Sequence, residues 1–89
     1  MYQRKGDHDR AIADYNQAIR INPNYADAYR LRGTVYFEKT DMDKAIAEYN
    51  QAIRLNSKDS DNYKLRGMAY FKKSKKVASL NFFLLYCLH

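Results

Sequence analysis

The chain has 89 residues, of which 46% are hydrophobic and 29% are charged, with nine tyrosines and no tryptophan. This composition excludes a mostly disordered chain, and the length allows one small domain with a modest core. The formal net charge of +6 includes four lysines in residues 72–76 (KKSKK), which would attract acidic proteins, phosphate backbones or anionic membrane surfaces. A solvated basic turn is the simpler interpretation of that stretch.

Cysteine content and hydropathy restrict the setting in which the chain works. The single cysteine, Cys87, excludes an internal disulfide and a cysteine metal site. The first ten residues hold no apolar segment, so no signal peptide is visible. The apolar run 82–88 (FFLLYCL) falls far short of the roughly 20 residues that a membrane-spanning helix needs. We therefore expect a cytoplasmic protein without a membrane span.

The first predicted elements are two helices joined by a turn. Apolar and small residues recur at steps of three and four residues in each of them, as in amphipathic helices. The first helix carries Ala11, Tyr15, Ala18 and Ile19, and the second carries Tyr29, Gly33, Tyr36 and Phe37. The turn between them is residues 22–27 (NPNYAD), where Pro23 cannot continue the preceding helix.

The chain then repeats itself at a fixed period. Residues 11–22 (AIADYNQAIRIN) recur as residues 45–56 (AIAEYNQAIRLN), and residues 27–37 recur as residues 61–71. The junction 39–43 (KTDMD) supplies Thr and Asp, which suit the cap of the next helix. A period of about 34 residues is typical of helical-hairpin repeats, in which each copy buries its face on the next one.

These residues resemble tetratricopeptide repeats. Tyr29, Gly33 and Tyr36 match helix A of that family. Ala45, Tyr49 and Ala52 match helix B, and Ser57 replaces the closing proline. Half repeats on either side match through Ala11, Tyr15, Ala18 and Pro23, and through Tyr63, Gly67 and Tyr70. The resemblance implies an all-α stack of about five antiparallel helices, in the order B, A, B, A, B, with residues 1–76 forming the repeat region.

Residues 77–89 occupy the position of the last helix B in this scheme. Family helices B are amphipathic, whereas this segment would present apolar side chains on all sides. Those side chains are Leu80, Phe82, Phe83, Leu84, Leu85 and Tyr86. Such a helix must be covered, so we predict self-association through it, with exchange of helices between chains as one form. The alternative is an ordinary third helix B that packs on its own stack.

The resemblance also implies where a ligand would bind. In the family, helix A residues line a concave face that receives peptides. The corresponding residues here are Asp27, Arg30, Leu31, Thr34, Phe37, Lys64, Leu65, Met68 and Phe71, with Glu38, Asp61 and Lys72 beside them. The cations would pair with carboxylates of the partner, and the apolar residues would form its anchoring pockets. The simpler interpretation is that the two phenylalanines belong to the core and that the cations are merely solvated.

The function predicted first is therefore a non-catalytic scaffold or adaptor that binds a protein or peptide. The alternative is a homo-oligomerising structural unit assembled through residues 77–88. A weaker alternative is nucleic-acid binding, in which Lys72, Lys73, Lys75 and Lys76 would contact phosphates while Tyr70 and Phe71 stack on bases. We do not expect nucleic acid as a partner, because the other basic residues alternate with acids as on a salt-bridged solvent face.

Catalytic and cofactor sites have little support in the sequence. Neither His8 nor His89 has the spacing that would join it to a nucleophile and an orienting group. Asp7 and Asp9, which flank His8, are explained by the helix dipole at a helix start. The three glycines form no phosphate-binding loop. We expect no enzyme activity, no cofactor and no bound metal.

Overall fold

The computed structural model describes the backbone of residues 5–88 and the side chains of residues 7–75. This part of the chain forms four helices and no strand: α1 (Lys5–Ile21), α2 (Ala26–Glu38), α3 (Met42–Leu55) and α4 (Ser60–Leu88). α2 packs against α1 and α3, and α4 packs mainly against α3. The structure confirms the predicted all-α architecture of packed helical hairpins.

The α2–α3 turn closes one helix and opens the next. Thr40 has a φ of 66°, in the left-handed region. The Thr40 N–H donates to the Phe37 carbonyl at 3.0 Å, and the Asp41 N–H donates to the Tyr36 carbonyl at 2.9 Å. This pair of bonds is a Schellman motif, which satisfies the last carbonyls of α2. The Asp41 carboxylate then accepts from the Lys44 N–H at 3.3 Å and caps α3, as the sequence predicts.

The prediction of five helices is wrong, because the predicted last helix A and last helix B form the single helix α4. The corresponding turn residues explain the difference. Ser74 and Lys75 stand one repeat period after Thr40 and Asp41. Lysine has no acceptor with which to cap a new helix, and residues 72–88 contain neither proline nor glycine to end the existing one. Residues 77–88 therefore continue α4 instead of folding back along it.

The core lies between α2, α3 and α4. Its buried cluster consists of Met42, Ala45, Ile46, Tyr49 and Ala69, with Tyr36, Phe37 and Leu65 packed against it. Gly33 allows α2 to approach α3 closely, because a Cβ atom at this position would lie 2.9 Å from Tyr49 Cε1. The predicted small and aromatic positions of the repeat therefore meet in the core, and this contact sets the distance between α2 and α3.

Two equivalent arginines link successive helices. The Arg32 Nη1 group donates to Asn16 Oδ1 at 2.6 Å, and in the next copy of the repeat Arg66 Nη1 donates to Asn50 Oδ1 at 2.8 Å. Arg32 makes a further contact, an ion pair at 2.7 Å between Nη2 and the Glu48 carboxylate. Each arginine thus holds its helix to the preceding one, and Arg32 also holds α2 to the helix that follows it.

Candidate peptide-binding groove

Three adjoining hollows lie along α2 and α4, and we call them together the groove. The largest has a volume of about 560 Å³, and the other two have volumes of about 250 Å³ each. Neighbouring hollows share walls: Phe37 and Met68 line the large one and one of the small ones, Lys64 lines the large one and the other, and Leu65 lines both small ones. The shared residues make the three hollows one continuous surface.

The structure brings seven of the nine predicted groove residues together on this surface. They are Arg30, Thr34, Phe37, Lys64, Leu65, Met68 and Phe71. The other two lie differently. Asp27 accepts a hydrogen bond from Arg30 Nη2 at 3.0 Å, and Leu31, which is 37% exposed, lines none of the three hollows. Of the residues expected beside them, Asp61, Glu38 and Lys72 also line the groove.

The apolar part of the groove is formed by three side chains of different exposure. Phe37 is half-buried against the core, whereas Met68 is 46% exposed and Phe71 is 69% exposed. Phe71 is therefore not a core residue of this chain, and the core interpretation of the two phenylalanines applies to Phe37 alone. An exposed aromatic beside an exposed methionine is the kind of surface on which partner side chains anchor.

The charged part of the groove is mainly basic. Lys64, Lys72 and Lys75 line its largest hollow. Among the described residues none of these lysines forms an ion pair with an acidic side chain, and Lys72 Nζ lies 5.2 Å from the centroid of the Phe37 ring. Arg30 does have an acidic neighbour, because its hydrogen bond to Asp27 raises the pKa of the guanidinium. The lysines are thus available to a partner's carboxylates.

A partly buried hydrogen bond lies at the floor of one small hollow. The hydroxyl groups of Thr34 and Tyr49 lie 3.1 Å apart, and Tyr49 is fully buried. Burial raises the pKa of the Tyr49 phenol, against an opposing effect of the hydrogen bond with Thr34. The phenol stays neutral at physiological pH, so the charge in this hollow comes from Glu38, which also lines it, and not from Tyr49.

One lysine of the basic stretch 72–76 is engaged in an ion pair with a neighbouring helix. Lys73 Nζ forms an ion pair with the Asp43 carboxylate at 2.6 Å, which raises the pKa of Lys73. Lys72 contacts the Phe37 ring, and Lys75 lines the groove. The Lys76 side chain lies outside the described residues. At least one of the four lysines proposed for nucleic-acid contact is therefore engaged within the stack.

Three groove residues were not predicted from the sequence. Gly67 and Lys75 line the largest hollow, and Tyr49 lies at the floor of a small one. The spacing of residues could have predicted Lys75, because it follows Phe71 by four residues and Lys72 by three and so lies on the same face of the helix. That signal requires α4 to continue past residue 72, whereas the sequence predicted a turn there.

Other sequence-derived candidates are placed as follows. The side chains predicted to mediate oligomerisation lie outside the residues whose side chains are described; they are Leu80, Phe82, Phe83, Leu84, Leu85 and Tyr86.

His8 packs between α1 and α2, with Nε2 3.4 Å from the Glu38 carboxylate, and Asp9 pairs with Lys39 at 3.0 Å. Within the described range, no three metal-ligating side chains form a group that could hold an ion. No described helix has the length and apolar character needed to cross a membrane.

The fold and the groove define a helical-hairpin repeat protein, and the comparison with family models identifies the repeat. A model described as TPR repeat matches residues 1–40 and again residues 33–74. These matches cover well over half of the chain, so the chain belongs to the tetratricopeptide-repeat family. No curated protein matches it significantly. Repeats of this family generally mediate protein–protein interaction and are typically not catalytic.

Proposed function

We propose that this chain is a non-catalytic interaction module that binds an acidic peptide or protein segment with apolar anchors in the groove. The observation that supports this most is the meeting of exposed Met68 and Phe71 with Lys64 and Lys75 along one hollow. Apolar pockets bordered by cations select a segment in which carboxylates flank apolar side chains. The location that suits this role is the cytoplasm, as predicted from the sequence.

Arg30 and Lys64 are assigned different roles in this binding. Arg30 is held in place by Asp27, so its guanidinium is pre-oriented at one end of the groove. Lys64 lies between the large hollow and the small one that contains Arg30. A partner carboxylate bound between the two would lie within reach of both cations, and the arginine is the better bidentate donor.

The test is selection of peptides from a phage-displayed random library on the intact chain, followed by measurement of the selected peptide's Kd by fluorescence anisotropy. We expect enrichment of Asp or Glu next to Leu, Phe or Met. Arg30→Glu and Lys64→Glu should each weaken binding about tenfold or more, because reversal places like charges together. Arg10→Glu is the matched control, since Arg10 is exposed on α1 and lines none of the hollows.

Two results would contradict the proposal. One is a library selection that yields no acidic and apolar pattern. The other is a selected peptide that binds both groove variants as tightly as it binds the parent chain and the Arg10→Glu control.

A further inference from the structure

The interface between α2 and α3 depends on two contacts, which set how a helix A receives the helix B that follows it. A Cβ atom on Gly33 would lie 2.9 Å from Tyr49 Cε1, so the tyrosine ring packs directly over the glycine. Beside this contact, Arg32 Nη2 forms an ion pair with the Glu48 carboxylate at 2.7 Å. Both helix B residues are covered as a result: Tyr49 is fully buried, and the Glu48 side chain is only 14% exposed.

α4 has the same helix A surface, but no described helix B lies on it. Arg66 and Gly67 stand one repeat period after the arginine and the glycine of α2, and we call the surface that they form with Tyr63 and Tyr70 the open A face. A Cβ atom on Gly67 would have no described heavy atom within 4 Å, apart from its chain neighbours and the nearby backbone of α4. Arg66 Nη1 donates to Asn50 Oδ1, but Arg66 forms no ion pair with a described acidic side chain. The glycine and the arginine are therefore both available to a further helix B.

α1 carries the matching helix B surface. Residues 11–18 (AIADYNQA) correspond to residues 45–52 (AIAEYNQA), and we call the surface formed by Ala11, Asp14, Tyr15 and Ala18 the open B face. Tyr15 is partly exposed, although its counterpart on α3 is fully buried. Asp14 is exposed and forms no ion pair with a described basic side chain. Among the described helices only α2 packs on α1, and it does so through other positions such as Asn16.

We propose that the open B face of one copy docks on the open A face of a second copy, so that copies of the chain stack head to tail. Tyr15 of one copy then packs over Gly67 of the other, and the Asp14 carboxylate pairs with the Arg66 guanidinium. Both contacts reproduce those that the corresponding residues make between α3 and α2. The partner is a second copy, because the chain itself supplies the required helix B sequence, with its small, acidic and aromatic positions in phase.

One contact of the α2–α3 pair is not repeated in the stack. The hydroxyl groups of Thr34 and Tyr49 lie 3.1 Å apart, whereas Met68 stands in the position of Thr34 on α4. Met68 is 46% exposed and lines the largest hollow. The Tyr15 ring of the docked copy therefore packs on the thioether of Met68, and its hydroxyl group keeps access to water through the hollow.

The continuous helix α4 leaves the open A face accessible to this docking. With Tyr15 opposite Gly67, the antiparallel direction places Lys5, the first residue of α1, about ten residues farther along α4, near residue 77. α4 continues to Leu88, so it extends past the docked helix instead of folding back over Gly67. Within one chain α1 does not reach α4, because α2 and α3 lie between them.

The two faces are different surfaces, so the interface is heterologous and a stack keeps one open face at each end. Stacking therefore continues as the concentration rises and does not stop at a dimer. A single helix pair is smaller than a standard stable interface, so we expect association at roughly tens of micromolar and separate copies at low micromolar concentration. This interface does not depend on the peptide-binding proposal.

The test is sedimentation equilibrium of the intact chain from about 2 to 300 µM, a range that covers such association. The average mass of the parent should rise past two chains. Gly67→Leu should raise the Kd about tenfold or more, because leucine would occupy the space for Tyr15. Asp14→Arg should have the same effect, because it would place two arginines together. Ala13→Arg is the matched control with the same introduced side chain, because its counterpart Ala47 stays exposed on α3.

An equimolar mixture of Gly67→Leu and Asp14→Arg tests the direction of stacking. The first variant keeps its open B face and the second keeps its open A face, so together they form one intact interface. The mixture should therefore contain a complex of two chains and nothing larger, although each variant alone is a monomer. A symmetric interface would not be restored by mixing.

Folding and peptide binding separate this proposal from the groove proposal. Both substitutions place side chains in exposed positions, so the helix content by circular dichroism should match that of the parent. Asp14 lines none of the hollows, so Asp14→Arg should still bind an acidic peptide, and Arg30→Glu should leave stacking unchanged. Three results would overturn the stack: a parent chain that is monomeric at every concentration, a mixture that stays monomeric, or association that persists in both variants and so points to residues 77–88.

Discussion

The two copies of the repeat share most of their sequence but differ in what surrounds them. In the first, α2 lies between α1 and α3, and Gly33 touches Tyr49. In the second, α4 packs on α3, and Gly67 has no described side chain against it and borders a hollow of about 560 Å³. A repeat motif thus specifies which surfaces can pack, while the neighbouring helix decides whether they do.

The same comparison explains the exposure of the aromatic residues. Tyr36 and Phe37 pack on the core, whereas Tyr70 and Phe71 are 50% and 69% exposed. Both pairs are Tyr-Phe and occupy the same positions of the repeat. The difference in their exposure therefore comes from their surroundings. The exposed Phe71 is one of the apolar side chains on which the proposed peptide binding rests.

The largest loss of stability from a single substitution is expected at the arginine of the first copy. Arg32→Ala removes an ion pair to Glu48 and a hydrogen bond to Asn16, and it leaves the largely buried Glu48 carboxylate unpaired. We expect a loss of about 2 to 3 kcal/mol in the free energy of unfolding, measured by urea denaturation. Arg66→Ala removes one exposed hydrogen bond, to Asn50, and should cost about 1 kcal/mol or less.

Both arginines also lie close to a tyrosine ring, at 5.6 Å from the Tyr29 centroid for Arg32 and 5.5 Å from the Tyr63 centroid for Arg66. This contribution is common to the two variants and cancels in the comparison. Equal losses at the two positions would contradict the assignment of an additional α2–α3 link to Arg32.

Substitution by glycine should have smaller effects, of opposite sign in the two copies, at the equivalent positions Thr40 and Ser74. Thr40 has a left-handed backbone, in which glycine avoids the steric strain of a β-branched residue. Thr40→Gly should therefore stabilise the chain by about 1 kcal/mol in thermal or urea unfolding. Ser74 lies inside α4, so Ser74→Gly should destabilise it by about 0.5 kcal/mol. Destabilisation by Thr40→Gly would show that the left-handed turn contributes no strain.

The sequence predicted correctly those features of the fold that depend on residues close together in the chain. The helical-hairpin period, Pro23 after α1 and the Asp41 cap each act through nearby residues, and the structure has them as expected. The predicted turn at 72–76 failed because it was transferred from the repeat, although Ser74 and Lys75 lack the chemistry of Thr40 and Asp41. Local chemistry outweighed repeat symmetry at that point.

The groove was predictable in its members but not in its shape. Seven of its lining residues were predicted from their positions in helix A, because the spacing of residues decides which of them share a face of a helix. The role of Gly67, the exposure of Phe71 and the inclusion of Lys75 depend on whether a helix packs on α4. That depends on tertiary contacts, which no local pattern specifies. The ion pair between Lys73 and Asp43 is a contact of the same kind.

The most direct test of the difference between the two copies is urea unfolding of Gly33→Ala and Gly67→Ala, each at low micromolar concentration. Gly33→Ala should destabilise the chain by about 1 to 2 kcal/mol, because steric overlap with Tyr49 exceeds the gain in helix propensity. Gly67→Ala should stabilise it by about 0.5 to 1 kcal/mol, because the added methyl group enters open space. Destabilisation by both variants to the same extent would contradict the account, since it would mean that Gly67 is covered by packed atoms as Gly33 is.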